Sequence, residues 1–259
     1  MSDLLLGRHA VREALRAGRP LRRLYVARGA RVSSVLRDAV EEARRRGVFV
    51  EFVERRRLDD LSHGQAHQGV VAVAAAHAAV EVDEILARAR EKGRAPFVVV
   101  LDGIEDPANL GAIIRTAEAA GAHGVIIPRH RAAGLTAAVA RASAGAIEFL
   151  PVAQATNLAR TLEDCKREGL WVVGADMDAP ARYDQVELRP PLAVVIGGEG
   201  RGLGRLVRER CDRLVRIPLL GRVGSLNASA AAAVLLYEVV RQQGAEGVAP
   251  LDAVEATSV

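Results

Sequence analysis

Short apolar runs alternate with amphipathic, glycine-stopped stretches along most of this chain. Ala10–Ala17 reads as a short helix ending at Gly18, and Leu24–Val26 as a strand. Val32–Arg46 places Val32, Val35, Leu36, Ala39, Val40 and Ala43 on one helical face and stops at Gly47. Val48–Phe52 and Gly69–Ala75 read as further strands, so this front part predicts a small α/β domain. Val82–Arg94 reads as a charged connecting helix. Beyond it, strands over Phe97–Leu101, Gly124–Ile127, Leu170–Gly174, Leu192–Ile196 and Leu214–Ile217 alternate with helices over Asn109–Ala120, Ala137–Ala144, Asn157–Glu168 and Leu203–Arg210. Such alternation predicts a mostly parallel sheet covered on both faces. Ligands of such sheets sit in loops beyond the carboxyl ends of the strands. Three polar or glycine-rich loops fall there: Asp102–Asn109, Gly197–Gly204 and Leu219–Asn227. The last runs into an alanine-rich helix beginning near Ala228, whose small side chains predict close packing over much of its circumference. Ser225, Leu226 and Asn227 stand at its start, where Ser and Asn cap unpaired N–H groups.

Length changes the picture little: 259 residues suffice for two domains with real cores. The longest apolar runs, around Val70–Val80 and Ala228–Val240, fall short of the roughly 18–20 residues of a membrane span. The N-terminus lacks the apolar core of a signal peptide, which with the cysteine usage points to a soluble, cytoplasmic chain. Cys165 and Cys211 form no CxxC pair, and His63 and His67 have no acidic or thiol neighbour in their run, so no metal site is expected.

Charge is more informative. Lys92 and Lys166 are the only lysines among 36 basic residues. Residues 1–76 hold 15 Arg against 9 acidic residues, a net of +6, while residues 77–259 hold 21 basic against 23 acidic, a net of −2. The positive charge belongs to the front third, the footprint of a domain that meets a polyanion. For any single cluster (Arg22–Arg23, Arg44–Arg46, Arg55–Arg57) a solvated face is a better account than phosphate contact. The polar loop His63–Gly69 suits hydrogen bonding to nucleic acid.

The loops exclude common cofactor motifs. Gly197–Gly204, GGEGRGLG, gives no G-x-G-x-x-G in any register, and no G-x-x-x-x-G-K-[ST] occurs. Glu199 is instead a carboxylate among glycines that let backbone approach a ligand. Asn109 opens the first helix of this half, and Arg115 follows just under two turns later, about 120° round the helix. A salt bridge accounts for Arg115 in this place more readily than catalysis does.

DPANLGAIIRTAEAAG, VVIGGEGRGL and IPLLGRVGSLNASAAAAVLLYE, in order across residues 97–241, resemble the three motifs of the SpoU (TrmH) family of RNA ribose 2'-O-methyltransferases. GRHAVREAL and HQGVVA resemble the small RNA-binding domain that precedes them in many members, and ASAGAIEFLPVAQATNLARTL brings the chain nearest those acting on a guanosine of bacterial 23S ribosomal RNA. The resemblance implies an α/β sheet with a deep C-terminal trefoil knot, a homodimer, and S-adenosylmethionine as methyl donor. By motif position, Gly197, Ile217 and Leu226 touch the cofactor, with Gly198 and Gly174 nearby. Arg115 acts on the ribose 2'-hydroxyl, and Asn109, Glu199, Ser225 and Asn227 order the site, with no metal required. Arginine's pKa above ~12 makes it a better charge stabiliser and aligner than base. The expected units are 1–76 for RNA recognition, 77–94 as linker, 95–245 as the knotted catalytic domain and 246–259 as a tail. A transfer RNA substrate, or a non-enzymatic RNA-binding assembly role, are the alternatives.

Overall fold

The computed structural model describes residues 2–30, 33–75 and 77–244, so Val32 and the tail over 246–259 lie outside the described residues. Two sheets organise the chain. The front sheet holds β1 (Ser2–Leu6), β2 (Leu21–Ala27), β3 (Phe49–Val53) and β4 (Val70–Ala75) in the order β1-β4-β2-β3. The β2–β3 pair is parallel, and β4 runs antiparallel to β1 and β2. Helices α1 (Arg8–Arg16) and α2 (Ser34–Arg45) cover one face through Val11, Leu15, Leu36 and Ala39 against Leu24, Val26 and Ala72. Ser33 starts α2 by accepting the Leu36 N–H at 3.2 Å. The short α3 (Arg55–Leu61) seals part of the other face with Leu58. Strand β1 and helix α3 have no counterpart in the sequence reading: the first is a short N-terminal run, and the arginines of the second hide its single buried leucine.

The second sheet is wholly parallel, in the order β7-β6-β5-β10-β8-β11-β9. It comprises β5 (Phe97–Asp102), β6 (Gly124–Pro128), β7 (Val152–Ala155), β8 (Trp171–Ala175), β9 (Ala181–Arg182), β10 (Leu192–Gly197) and β11 (Arg213–Arg216). Its central strands are buried on both faces, as their unbroken apolar runs require. Helices α5 (Pro107–Ala119), α6 (Ala137–Ala142) and α9 (Ala228–Gln243) share one core with Leu101, Ile113 and Leu235. Helices α4 (Val82–Glu91), α7 (Leu158–Arg167) and α8 (Arg205–Arg210) flank a second with Val98, Val100 and Val195. Burying a single Ile or Leu of this kind stabilises by roughly 1.5–3 kcal/mol. Helix α4, read from its charges as a connector, buries Ile85, Leu86 and Ala89. Gly124 lies so close to Ile85 that a Cβ would stand 2.6 Å from it.

The sheets meet through a buried ion pair. Arg19 Nη1 donates to Glu148 Oε1 at 2.8 Å, His77 Nε2 lies 3.1 Å from the same oxygen, and Arg19 Nε donates to the Ala75 carbonyl at 2.9 Å. No helix among the described residues is long and apolar enough to cross a membrane, and none of their acidic, His and Cys side chains cluster as a metal set.

Candidate active site

Strands β5 and β10 are neighbours at the middle of the large sheet, and both run out at the same edge. Asp102 ends β5 and ties the loops after the two strands together. Its carbonyl accepts the Gly198 N–H at 2.8 Å, and its carboxylate accepts the Gly204 N–H at 2.7 Å. Asp106 then caps α5 by accepting the Ala108 and Asn109 N–H groups, with Pro107 in the first turn. Asn227 caps α9 in the same way through the Ser229 and Ala230 N–H groups. Two capped helix starts thus face one glycine-rich loop.

Glu199 stands between them. Its Oε1 accepts from Asn109 Nδ2 at 3.0 Å, Asn227 Nδ2 at 2.5 Å and the Ala228 N–H at 3.3 Å, and Asn227 Nδ2 also donates to Asn109 Oδ1 at 2.9 Å. A carboxylate at a helix N-terminus is favoured by the unpaired N–H groups and the helix dipole. Its Oε2 accepts no hydrogen bond among the described residues, which leaves one strong acceptor at the cluster.

Two cavities flank this cluster. The inner one, about 610 Å³, is lined by Gly197, Gly198, Ile217, Ser225 and Leu226, with Asp176, Met177 and Glu199 as further walls. The outer one, about 690 Å³, is bounded by Asp102, Asp106, Asn109, His130, Arg131 and Arg201, and Glu199 borders both. Main chain forms much of the shared wall. A Cβ on Gly198 would stand 2.2 Å from the Gly103 oxygen, and one on Gly197 2.2 Å from the Gly202 carbonyl carbon. Those two glycines therefore serve close backbone approach and not a turn.

Of the residues singled out in the sequence, the structure brings Asn109, Glu199 and Asn227 into one hydrogen-bonded group and sets Gly197, Gly198, Ile217, Ser225 and Leu226 around one cavity. Two lie outside that group and line neither cavity. Gly174 is buried directly behind the inner cavity's wall, next to Ala175 and against Leu203, which both line it; a Cβ there would meet Cys211 Sγ at 2.7 Å and Leu203 Cδ1 at 2.8 Å. Arg115 lies on the exposed side of α5, lines neither cavity and makes no hydrogen bond or ion pair among the described residues. The turn of the helix between Asn109 and Arg115 is the cause, and the salt bridge weighed for Arg115 does not form. Asp102, Asp176, His130, Arg131 and Arg201 were not singled out; the acid closing the apolar run FVVVLD was the available signal for the first. Neither cysteine is a nucleophile here: burial pushes the Cys165 thiol up to about 11 and the Cys211 thiol up to about 12.

A sulfonium nucleoside of the S-adenosylmethionine kind fits the inner cavity. Its walls combine apolar Ile196, Ile217 and Leu226 for a ring with the carboxylates of Asp176 and Glu199 for positive charge, around a glycine cradle that side chains would fill.

Comparison with known proteins agrees with this geometry. Residues 96–237 match the SpoU rRNA Methylase family, and residues 4–80 match the family described as RNA 2'-O ribose methyltransferase substrate binding. YacO of Bacillus subtilis, whose name places it in the TrmH family of tRNA/rRNA methyltransferases, is 49% identical over 245 residues, 95% of this chain and 98% of its own. The SpoU methyltransferase AviRb of Streptomyces viridochromogenes, solved with the cofactor AdoMet, superposes with a TM-score of 0.78 at 30% identity, covering 94% of this chain and 91% of its own. An AdoMet-bound rRNA methyltransferase of Sinorhizobium meliloti superposes at 0.76 with 26% identity, over 93% and 87% of the two chains.

Proposed function

The chain belongs to the SpoU (TrmH) methyltransferase family, and we propose that it methylates the ribose 2'-hydroxyl of a guanosine in 23S ribosomal RNA, working in the cytoplasm as a homodimer. The observation that carries this reading is the Asn109–Glu199–Asn227 group at the border of two cavities, one of them walled by Gly197 and Gly198. When bound, S-adenosylmethionine supplies an electrophilic methyl group on a sulfonium. Gly197, Gly198, Ile217 and Leu226, which line the inner cavity, would hold it.

A ribose 2'-hydroxyl is a weak nucleophile near neutral pH, so the protein's task is alignment and removal of a proton. Glu199, with one carboxylate oxygen committed to three donors, fixes Asn109 and Asn227 at the junction of the cavities and offers the other oxygen to substrate. Arg115 acts as charge stabiliser and aligner against an RNA phosphate; standing in solvent in a single chain, it needs the substrate or a second copy to bring polar groups to it. A second copy has surface to meet: α9 leaves Ala230 and Tyr237 exposed, and the loop before it leaves Leu220 99% exposed. The same loop and α9, packed back against α5 after β10 has entered between β5 and β8, form the segment we read as the trefoil knot. Residues 1–76 serve RNA recognition ahead of a catalytic unit over 95–245, with 77–94 between them; their net charge of +6 and the match over residues 4–80 support that division.

Incubation with unmodified ribosomal RNA and labelled S-adenosylmethionine, followed by mapping of the modified nucleotide, tests the reading. Transfer to a guanosine 2'-oxygen is expected; faster transfer to transfer RNA would replace the substrate, and cofactor binding with no transfer to any RNA would leave an assembly role.

A further inference from the structure

The front sheet carries a feature that the methyl-transfer site does not use. Aromatic side chains are scarce in this chain: four Phe, three Tyr and one Trp. Three of them, Tyr25, Phe49 and Phe52, lie on the adjacent strands β2 and β3, and β3 is an outer edge of its sheet. Phe49 is 59% exposed and Phe52 45%. The parallel register sets Phe49 opposite Arg23 and Phe52 opposite Val26, so the two rings stand on opposite faces of the edge.

Neither ring is covered by apolar neighbours alone. The Arg23 guanidinium carbon lies 5.1 Å from the centre of Phe49 and 5.8 Å from that of Tyr25, and that of Arg44 lies 5.9 Å from the centre of Phe52. Arg23 also reaches Glu51 Oε2 at 3.3 Å, while Arg44 has no carboxylate partner among the described residues. Native edge strands are normally blunted with charge, because exposed apolar edges promote association. Here two planar apolar faces are kept in water, each beside a cation, in the most basic part of the chain. The chemistry that matches planar faces paired with positive charge is an unpaired nucleotide: a base to stack and a phosphate to neutralise. Bases within a duplex offer no free face, so the complementarity selects single-stranded segments.

We propose that the β2–β3 edge of the front sheet binds an unpaired stretch of the substrate RNA, with bases stacked on Phe49 and Phe52 and phosphates drawn to Arg23 and Arg44. This rests on the reading of the chain as an RNA-modifying enzyme and adds that its substrate carries a single-stranded segment apart from the methylated nucleotide. The full chain is titrated by fluorescence anisotropy against an unstructured, labelled RNA of about 12 nucleotides and against the same strand annealed to its complement. Each of F49A and F52A should weaken single-strand binding about tenfold, the equivalent of about 1.4 kcal/mol. Duplex binding should stay within about twofold, and F49Y and F52Y should restore wild-type affinity because a ring is retained. Circular dichroism checks folding, and S-adenosylmethionine affinity by calorimetry should not change. Wild-type single-strand affinity in the F49A/F52A double variant would overturn the proposal, as would equal losses on single strand and duplex. Loss of binding to a protein partner with RNA affinity intact would reassign the edge to protein docking and overturn it equally. If methyl transfer and cofactor binding are absent in the wild type as well, it is the enzymatic reading that fails.

Discussion

In the front sheet the exposed apolar side chains stand on an edge strand among arginines, and nothing converges on them; in the large sheet the polar groups meet at the carboxyl ends of two central strands. The first arrangement offers area and charge, and tolerates imprecision. The second fixes three side chains, Asn109, Glu199 and Asn227, through capped helices and backbone contacts to within hydrogen-bond distance. Binding a long polyanion needs the former, and chemistry at one atom needs the latter.

That contrast is testable, most severely at Gly198. G198V should abolish S-adenosylmethionine binding by calorimetry, because its Cβ would stand 2.2 Å from the Gly103 oxygen. Its RNA affinity should persist, since the front sheet is untouched; loss of both together would mean that the two regions are not separable. R115A comes next: methyl transfer should fall by at least about 100-fold with cofactor affinity within about twofold, the size expected of a group that assists the reacting hydroxyl. Unchanged transfer would confine the chemistry to the Asn109–Glu199–Asn227 group.

The junction between the regions gives a smaller effect. E148A leaves Arg19 buried without its carboxylate and should lower stability by about 3 kcal/mol in urea unfolding. Transfer per folded molecule should be nearly unchanged if the junction is structural. The smallest expected effect is acid sensitivity in the large sheet. Burial holds His123 below the usual histidine range, and its Nδ1 accepts the Phe97 N–H at 3.0 Å. Its contribution is fully present above about pH 6.5, the unfolded value, and is lost as pH falls toward the depressed folded value. H123N should flatten the decline of Tm between pH 7.5 and 5.5; an identical decline would assign it to other groups.

Periodicity made five of the large sheet's strands legible: buried parallel strands are continuous apolar runs, and α5, α6, α7 and α9 each begin at a side-chain cap. The small elements escaped it. β1, and in the large sheet β7 and β9, are too short to show a pattern, and α3 hides one leucine behind three arginines. The loops bearing Asn109, Glu199 and Asn227 could be named from the sequence, but their convergence depends on β10 entering beside β5, a neighbourhood that sequence order does not display. Gly174 shows the opposite limit. Its motif position pointed to the cofactor's neighbourhood, but the packing of Leu203 and Cys211 against it, from elsewhere in the chain, could not be read from sequence. Arg19, one of 15 arginines in a region read as RNA-facing, is spent on an internal ion pair that no composition could single out.

The wall at Gly197 and Gly198 is main chain pressed on main chain. An inhibitor shaped to that wall would face a surface with little room for escape, because nearly every point change there installs a side chain where the Gly103 and Gly202 backbones already stand. Resistance would have to arise at the apolar and acidic rim, around Met177, Asp176 or Leu219, which is therefore the part of the cavity a durable ligand should leave untouched.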